Sequence, residues 1–183
     1  MTHQFPEFIL EVPSRRSFQP WRKFIGSSAD DSLKTNRRDF VSQYIHGRSG
    51  DDVLTSSGRS SDVMFGGHGD DRLIARSGIG NVLNGGSGND VLSGGKHTDI
   101  FVMTEGFDVV TNFNVRNVRN SNRRDKIGIK VQDSNIQVET SEIESGLLLE
   151  LIGGTKTKRL LLEGVTQEQF DDLPYNPFVT VEY

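Results

Sequence analysis

The chain has 183 residues, of which 33% are hydrophobic, with 20 glycines, 5 prolines, no cysteine and a formal net charge of −4. Disulfides and thiolate metal sites are thereby excluded, and the acidic balance gives no footprint for nucleic acid. A mean hydropathy of −0.47 leaves a modest core for this length, and glycine in excess of proline points to turns at positive φ rather than stiff linkers.

The chain opens with MTHQFPEFILEVPSRR, whose short apolar patch is broken by Pro6, Glu7 and Glu11. This is not a signal-peptide core of the usual length, and no later segment is apolar enough to span a bilayer. The protein is expected either to stay in the cytosol or to leave by a route that reads another signal. The stretches FPEFILEV and FQPWRKFI, with Phe18, Trp21 and Phe24, are expected to form an N-terminal cap over residues 1–25.

From Gly26 a nonapeptide recurs. GSSADDSLK is a faint first copy, and GRSGDDVLT (Gly47–Thr55) and SGRSSDVMF (Ser57–Phe65) are closer. GGHGDDRLI (Gly66–Ile74) and GGSGNDVLS (Gly85–Ser93) match G-G-x-G-x-D-x-U-x in full, U being a large apolar residue. RSGIGNVLN (Arg76–Asn84) keeps the period with little of the pattern, GGKHTDIFV (Gly94–Val102) follows without a gap, and MTEGFDVVT continues from Met103. A phosphate loop would be a single copy followed by Lys-Ser/Thr and a helix, and none is present. Strand-forming pairs recur at the end of each copy: Val53-Leu54, Val63-Met64, Val82-Leu83, Val91-Leu92, Ile100-Phe101 and Val109-Val110. The eighth positions, Leu54, Met64, Leu73, Leu83, Leu92, Phe101 and Val110, should therefore all face inward.

The segment from about Gly26 to Thr111 resembles the RTX (hemolysin-type) calcium-binding repeats. The resemblance implies an all-β fold, a right-handed parallel β-roll over residues 26–111 with its best repeats at 47–102. Six residues of each nonapeptide turn, three form a strand, two repeats complete a coil, and Ca2+ is the bound cation. Alternate repeats then share an edge, so one edge carries Asp52, Asp71, Asp90 and Asp108 at steps of 19, 19 and 18 residues. With strands about 4.8 Å apart and calcium–oxygen distances of about 2.3–2.6 Å, one ion can reach an aspartate from each of two coils. Glycine-turn carbonyls complete the shell, and folding and metal binding become one event.

The two edges are unequal. The turns GRSGDD, GGHGDD and GGSGND keep a fourth-position glycine (Gly50, Gly69, Gly88), whereas SGRSSD, RSGIGN and GGKHTD carry Ser60, Ile79 or His97 there and have Asn81 in place of one acid. Two good calcium sites are expected, Asp52 to Asp71 and Asp71 to Asp90, with glycines Gly47, Gly50, Gly66, Gly67, Gly69, Gly85, Gly86 and Gly88 at or beside the carbonyl ligands. Asp31, Asp62, Asp99 and Asp108 are expected to be weak ligands, and Asp70 to offer mainly its carbonyl and a solvated charge. Positive charge gathers on the degenerate edge at Arg59, Arg76 and Lys96, with Arg37 and Arg38 upstream. Solvated turns account for it, and an anion-binding ladder for an acidic polysaccharide is the sharper alternative. His46, His68 and His97 lack zinc-ligand spacing and are expected at the surface.

After the repeats, GFDVVTNFN…RDKIGI resembles the segment that closes RTX rolls, Asp108 and Asp125 matching and Asn112 standing where an acid is usual. The polar stretch between them holds Arg116, Arg119, Arg123 and Arg124, a second and weaker anion patch. KIGIKV, NIQVET, GLLLELI and KRLLLEGV read as an antiparallel β region from Lys126, with a turn at Gly153-Gly154, capping the roll within residues 112–183. The final DDLPYNPFVTVEY is similar to the uncleaved signals read by the type I secretion apparatus. Taken together, these readings give a secreted, non-enzymatic, calcium-folded RTX protein acting as an extracellular surface, matrix or adhesive component. An accessory polysaccharide-binding module of a carbohydrate-modifying system is the alternative.

Overall fold

The computed structural model describes residues 9–11, 21–35, 41–57, 59–76, 80–115, 124–130, 136–153, 156–173 and 175–182. Along the repeats the chain turns at each glycine–aspartate stretch and runs straight at each β-branched or leucine pair, as the propensities of those residues dictate. Successive strands go alternately to two facing sheets. The first sheet takes β2 (Arg22–Ile25), β4 (Gln43–Ser49), β6 (Val63–His68), β8 (Val82–Ser87) and β10 (Ile100–Val102). The second takes β3 (Ser32–Lys34), β5 (Val53–Ser56), β7 (Arg72–Ala75), β9 (Val91–Ser93) and β11 (Gly106–Val110). Neighbours within each sheet are parallel, so the repeats form the β-roll that their resemblance implies.

Register is set by the inward stripe, because a one-residue slip would turn every apolar side chain to solvent. Ile45, Met64, Leu83 and Phe101 stand opposite one another in the first sheet, and Leu54, Leu73, Leu92 and Val110 in the second. All eight are fully buried in one core. All seven eighth-position residues expected to face inward are among them, and Ile45 joins them.

The C-terminal elements depart from a simple meander. Strand β12 (Lys126–Lys130) lies parallel to β10, and β16 (Phe178–Glu182) lies parallel to β12, so both lengthen the first sheet and carry the stripe on through Ile127 and Phe178. The antiparallel part is confined to β13 (Gln137–Ile143), β14 (Gly146–Ile152) and β15 (Lys158–Glu163), with β15 docked in parallel on β11. The reason is packing: a roll has two sheets to close, and Ile127 must sit over Phe101 for the first to continue inward.

Helix α1 (Gln167–Asp171) joins the last two strands. Thr166 and Gln169 form a reciprocal capping box at its start, and Phe170 packs beneath it, 6.0 Å from the Phe178 ring. The N-terminal stretch does not cap only the near end of the roll. Strand β1 (Ile9–Glu11) pairs in parallel with β16, at the far end of the first sheet, where β16 would otherwise leave an unpaired edge. Phe18 lies outside the described residues, whereas β2 already forms the first strand of the roll ahead of Gly26.

Candidate metal centre

Five turns cross from the first sheet to the second along one edge, ending at Asp31, Asp52, Asp71, Asp90 and Asp108. Each aspartate bonds to the coil before it. The N–H of Asp31 donates to Asp52 Oδ1 (2.7 Å), Asp52 to Asp71 (2.8 Å), Asp71 to Asp90 (2.8 Å) and Asp90 to Asp108 (3.1 Å). The sequence spacing thus places these carboxylates in one column, and the four from Asp52 to Asp108 are almost fully buried.

The second oxygens distinguish the members of the column. Oδ2 of Asp52, Asp71 and Asp90 is buried and accepts no hydrogen bond. Asp108 Oδ2 instead accepts from the Thr104 hydroxyl at 2.6 Å, and Asp31 Oδ2 accepts from both the N–H (2.5 Å) and the hydroxyl (2.9 Å) of Ser27. A buried, unmatched anionic oxygen is worth several kcal/mol of penalty unless something cationic meets it.

The glycines show where that partner would sit. A Cβ built on Gly66 would run into Asp71 Oδ2 and the Gly85 carbonyl, and one on Gly47 into Asp52 Oδ2 and the Gly66 carbonyl. Gly85 stands in the same relation to Asp90 Oδ2. All three turns therefore bring a carboxylate oxygen over their first glycine, at Gly47 and Gly66 beside a main-chain carbonyl of the next coil. This is a hard, all-oxygen donor set of the kind calcium takes. Among the described residues no group of three or more His, Cys, Asp or Glu side chains could hold a metal by itself; the side chains supply one acid per coil and the backbone must supply the rest. Fourth-position glycines Gly50, Gly69 and Gly88 lie at φ of 103°, 120° and 131°, where only glycine is at ease.

Burial, followed by repulsion from Asp90 and Asp52, drives the metal-free Asp71 carboxyl up to about 7. Burial likewise raises Asp52, Asp90 and Asp108.

On the opposite edge the equivalent column runs through Asp62, Asn81, Asp99 and Asp125. The N–H of Asp62 donates to Asn81 Oδ1, that of Asn81 to Asp99 Oδ1, and that of Asp99 to Asp125 Oδ1. Here the amide of Asn81 also donates to Asp99 Oδ1 (2.7 Å), Gly95 N–H donates to Asp99 Oδ2 (2.7 Å), and Asn114 N–H donates to Asp125 Oδ2 (2.8 Å). At Asp99 and Asp125 protein donors thus occupy positions that are bare at Asp52, Asp71 and Asp90, whereas Asp62 Oδ2 is buried without a hydrogen bond as theirs are. Asn112, standing where an acid is usual, uses both halves of its amide on Gly94, accepting from the N–H and donating to the carbonyl at 2.9 Å each.

Arg59, Arg76 and Lys96 are exposed in the turns of this second edge, as expected. Ile79, Arg37, Arg38, Arg116, Arg119 and Arg123 lie outside the described residues. Arg124 is exposed, its guanidinium 5.3 Å from the centre of the Tyr175 ring.

Two expectations need correcting. Asp70 is not merely a solvated charge: its Oδ1 accepts from Asn89 N–H (2.7 Å) and its N–H donates to Asp51 Oδ1 (2.8 Å). Asp51 in turn donates to Asp30, and Phe107 to Asn89, so a second, outer ladder parallels the inner one. Its signal was present in the doubled acids of GSSADD, GRSGDD and GGHGDD. His46 is also not a plain surface residue, being half-buried and stacked on Phe65 with ring centres 5.8 Å apart.

A parallel β-roll whose turns stack one buried aspartate per coil along an edge is a repeat solenoid. Residues 56–82 and 77–110 match the RTX calcium-binding nonapeptide repeat, in four copies. Residues 56–110 thus carry RTX calcium-binding repeats, and Ca2+ is the cation these repeats take. No curated protein matches it.

Proposed function

We propose that this chain is a secreted protein whose roll folds when calcium occupies the Asp52–Asp71 and Asp71–Asp90 steps, and that it serves outside the cell as a surface or matrix component without catalytic activity. The carrying observation is that Asp52, Asp71 and Asp90, consecutive members of one column, each have a buried Oδ2 that no protein donor meets. On the opposite edge Asp62 also has such an oxygen, but it is followed by the neutral Asn81. Gly47, Gly66 and Gly85 supply the space and, with their neighbours Gly50, Gly67, Gly69, Gly86 and Gly88, the exposed carbonyls. Asp31 and Asp108 are weaker ligands because Ser27 and Thr104 already meet their second oxygens; Asp99 is weaker because Gly95 does. Asp62 is weaker because its neighbour in the column is the neutral Asn81.

Export by a type I apparatus fits the same chemistry. Extracellular calcium modules bind at about 10⁻⁴–10⁻³ M, so the chain would travel unfolded and fold outside. The C-terminal signal-like stretch supports this order, since in the folded roll Phe178, Val179 and Val181 of β16 are buried. That stretch is readable only before the roll closes.

The test is a calcium titration followed by far-UV circular dichroism, with a chelated control. A cooperative gain of β signal with calcium is expected; a chain already fully folded in excess chelator would sink the coupling.

A further inference from the structure

Strand β1 pairs at the far end of the roll, although its place in the chain is beside the near end. It closes at Glu11, and β2 opens at Arg22 after ten intervening residues. In the first sheet these two are nevertheless the outermost strands, in the order β1-β16-β12-β10-β8-β6-β4-β2. Seven strand spacings of about 4.8 Å hold them about 34 Å apart. Every strand in the row is parallel to its neighbours, so the chain must also return along the strand direction. Followed through the pairings, Glu11 lies level with a point six residues beyond Arg22, a return of about 20 Å.

The diagonal of these two distances is about 40 Å. Eleven Cα-to-Cα steps reach at most about 36–40 Å when drawn straight, and a flexible chain of that length has a root-mean-square span of only about 17–20 Å. A tether that barely spans its two sites gives the second site almost no effective concentration. The β16 edge is therefore poorly served by the β1 of its own copy.

The two ends of the roll are shaped to meet. Without β1 the first sheet has seven strands and the second eight, so the far end carries a step one strand deep beside β13. At the near end no strand lies beyond β2 or β3 among the described residues. Phe24 and Leu33, which continue the two inward stripes there, are only partly buried, and the neighbouring Ile25 is exposed. An apolar end with two unpaired strand edges calls for cover.

We propose that β1 joins copies of this chain: it stays beside its own β2 and takes the β16 edge of a second copy, so that rolls stack end to end. The pairing with β16 keeps the register of the structure, and only the copy that supplies the strand differs. Beside β2 the same ten residues need to cover little more than the return along the strand, about half of their reach. The far end of one copy meets the near end of the next, a heterologous contact, so the row is open and lengthens with concentration. The inference rests on the calcium-folded roll proposed above, because β16 offers an edge only once the roll has closed.

The test is sedimentation velocity on the full chain in saturating calcium over a wide range of concentration, with circular dichroism on the same samples. The parent should show a ladder of species that lengthens with concentration. Deleting Ser14–Ser17 leaves seven steps, a reach of about 23–25 Å, too short to cross the sheet, and self-association should persist. Inserting roughly twelve Gly/Ser residues after Pro13 lets β1 reach its own β16 and should weaken association at least ten-fold. Removal of residues 2–11 should weaken it as much, and the calcium-induced β signal should be retained throughout. A parent and a shortened variant that fold but both stay monomeric overturn the joint. Association that survives removal of residues 2–11 also overturns it, by placing the contact on another surface, and a dimer that never lengthens overturns the open row. Failure of the parent to fold with calcium overturns instead the reading beneath.

Discussion

The main-chain N–H of Asp52 donates to Oδ1 of Asp71 at 2.8 Å, while Oδ2 of Asp71 is buried with no hydrogen-bonding partner. One carboxylate thus has two separable tasks, one oxygen tying coil to coil and the other awaiting a cation. Asp71→Asn keeps the acceptor and removes the charge. Its calcium midpoint should rise by at least roughly ten-fold, since the site loses ligand charge, while the bond from the Asp52 N–H is kept. Asp71→Ala also strands the Asp52 N–H, adding a penalty of about 1–3 kcal/mol. Calcium titrations, and melts in saturating calcium, of both variants separate the two tasks; identical behaviour of the two would refute the division. The opposite edge already contains the amide version, in that Asn81 Oδ1 accepts from Asp62 N–H.

Restoring an acid at that position should be harmful unless calcium is supplied. The Asn81 amide donates to Asp99 Oδ1 at 2.7 Å, and Asn81→Asp would replace this bond with two carboxylates in contact. The metal-free variant should be destabilised by about 1–3 kcal/mol, and calcium should recover more stability in it than in the parent. Equilibrium dialysis should show additional calcium bound. A variant that melts and binds like the parent would mean that this edge differs for some other reason.

Without calcium the column should fold better in mild acid than at neutral pH. Burial holds the native Asp71 carboxyl at about 7, well above its usual unfolded range near 4. The folded state therefore binds more protons between these values, and stability is lost as pH rises through the window from about 4 to about 7. Asp125, also raised to about 7 by burial, adds to the same trend. Chelated protein should show more β signal by circular dichroism at pH 5 than at pH 8, and calcium binding near pH 7 should release protons. A flat or opposite pH dependence in chelator would contradict the buried, unmatched column.

The roll was legible because its period of nine fixes everything local: which residues turn, which face inward, and which aspartates share an edge. Legibility stops where the period does. Asp125 continues the second column, but it follows Asp99 by 26 residues, so no spacing argument could place it there. Strands β12 and β16 carry no repeat signature, and their parallel pairing is decided by Ile127 and Phe178 continuing the buried stripe beyond Phe101. Two signals were readable and unused: the doubled acids that build the outer ladder, and the Thr166–Gln169 capping box that announces α1.

One turn of the column carries a local conflict that can be relieved. Arg48, Gly67 and Gly86 stand opposite one another in adjacent coils, and all three have positive φ, of 90°, 133° and 115°. A side chain in left-handed backbone costs about 1–2 kcal/mol, part of which glycine gives back through its greater freedom when unfolded. Arg48→Gly should therefore stabilise the calcium-loaded roll by roughly 1 kcal/mol, a rise of about 2–4 °C in Tm for a chain of this size. The reverse change is not symmetrical. A Cβ on Gly67 would press into the Arg48 carbonyl of the coil before it, so Gly67→Ala should destabilise by more than Arg48→Gly gains. Thermal melts of both variants in saturating calcium check the pair. A stabilised Gly67→Ala would show that the coils do not stack this closely, whereas a destabilised Arg48→Gly would show that the arginine side chain contributes more than its backbone conformation costs.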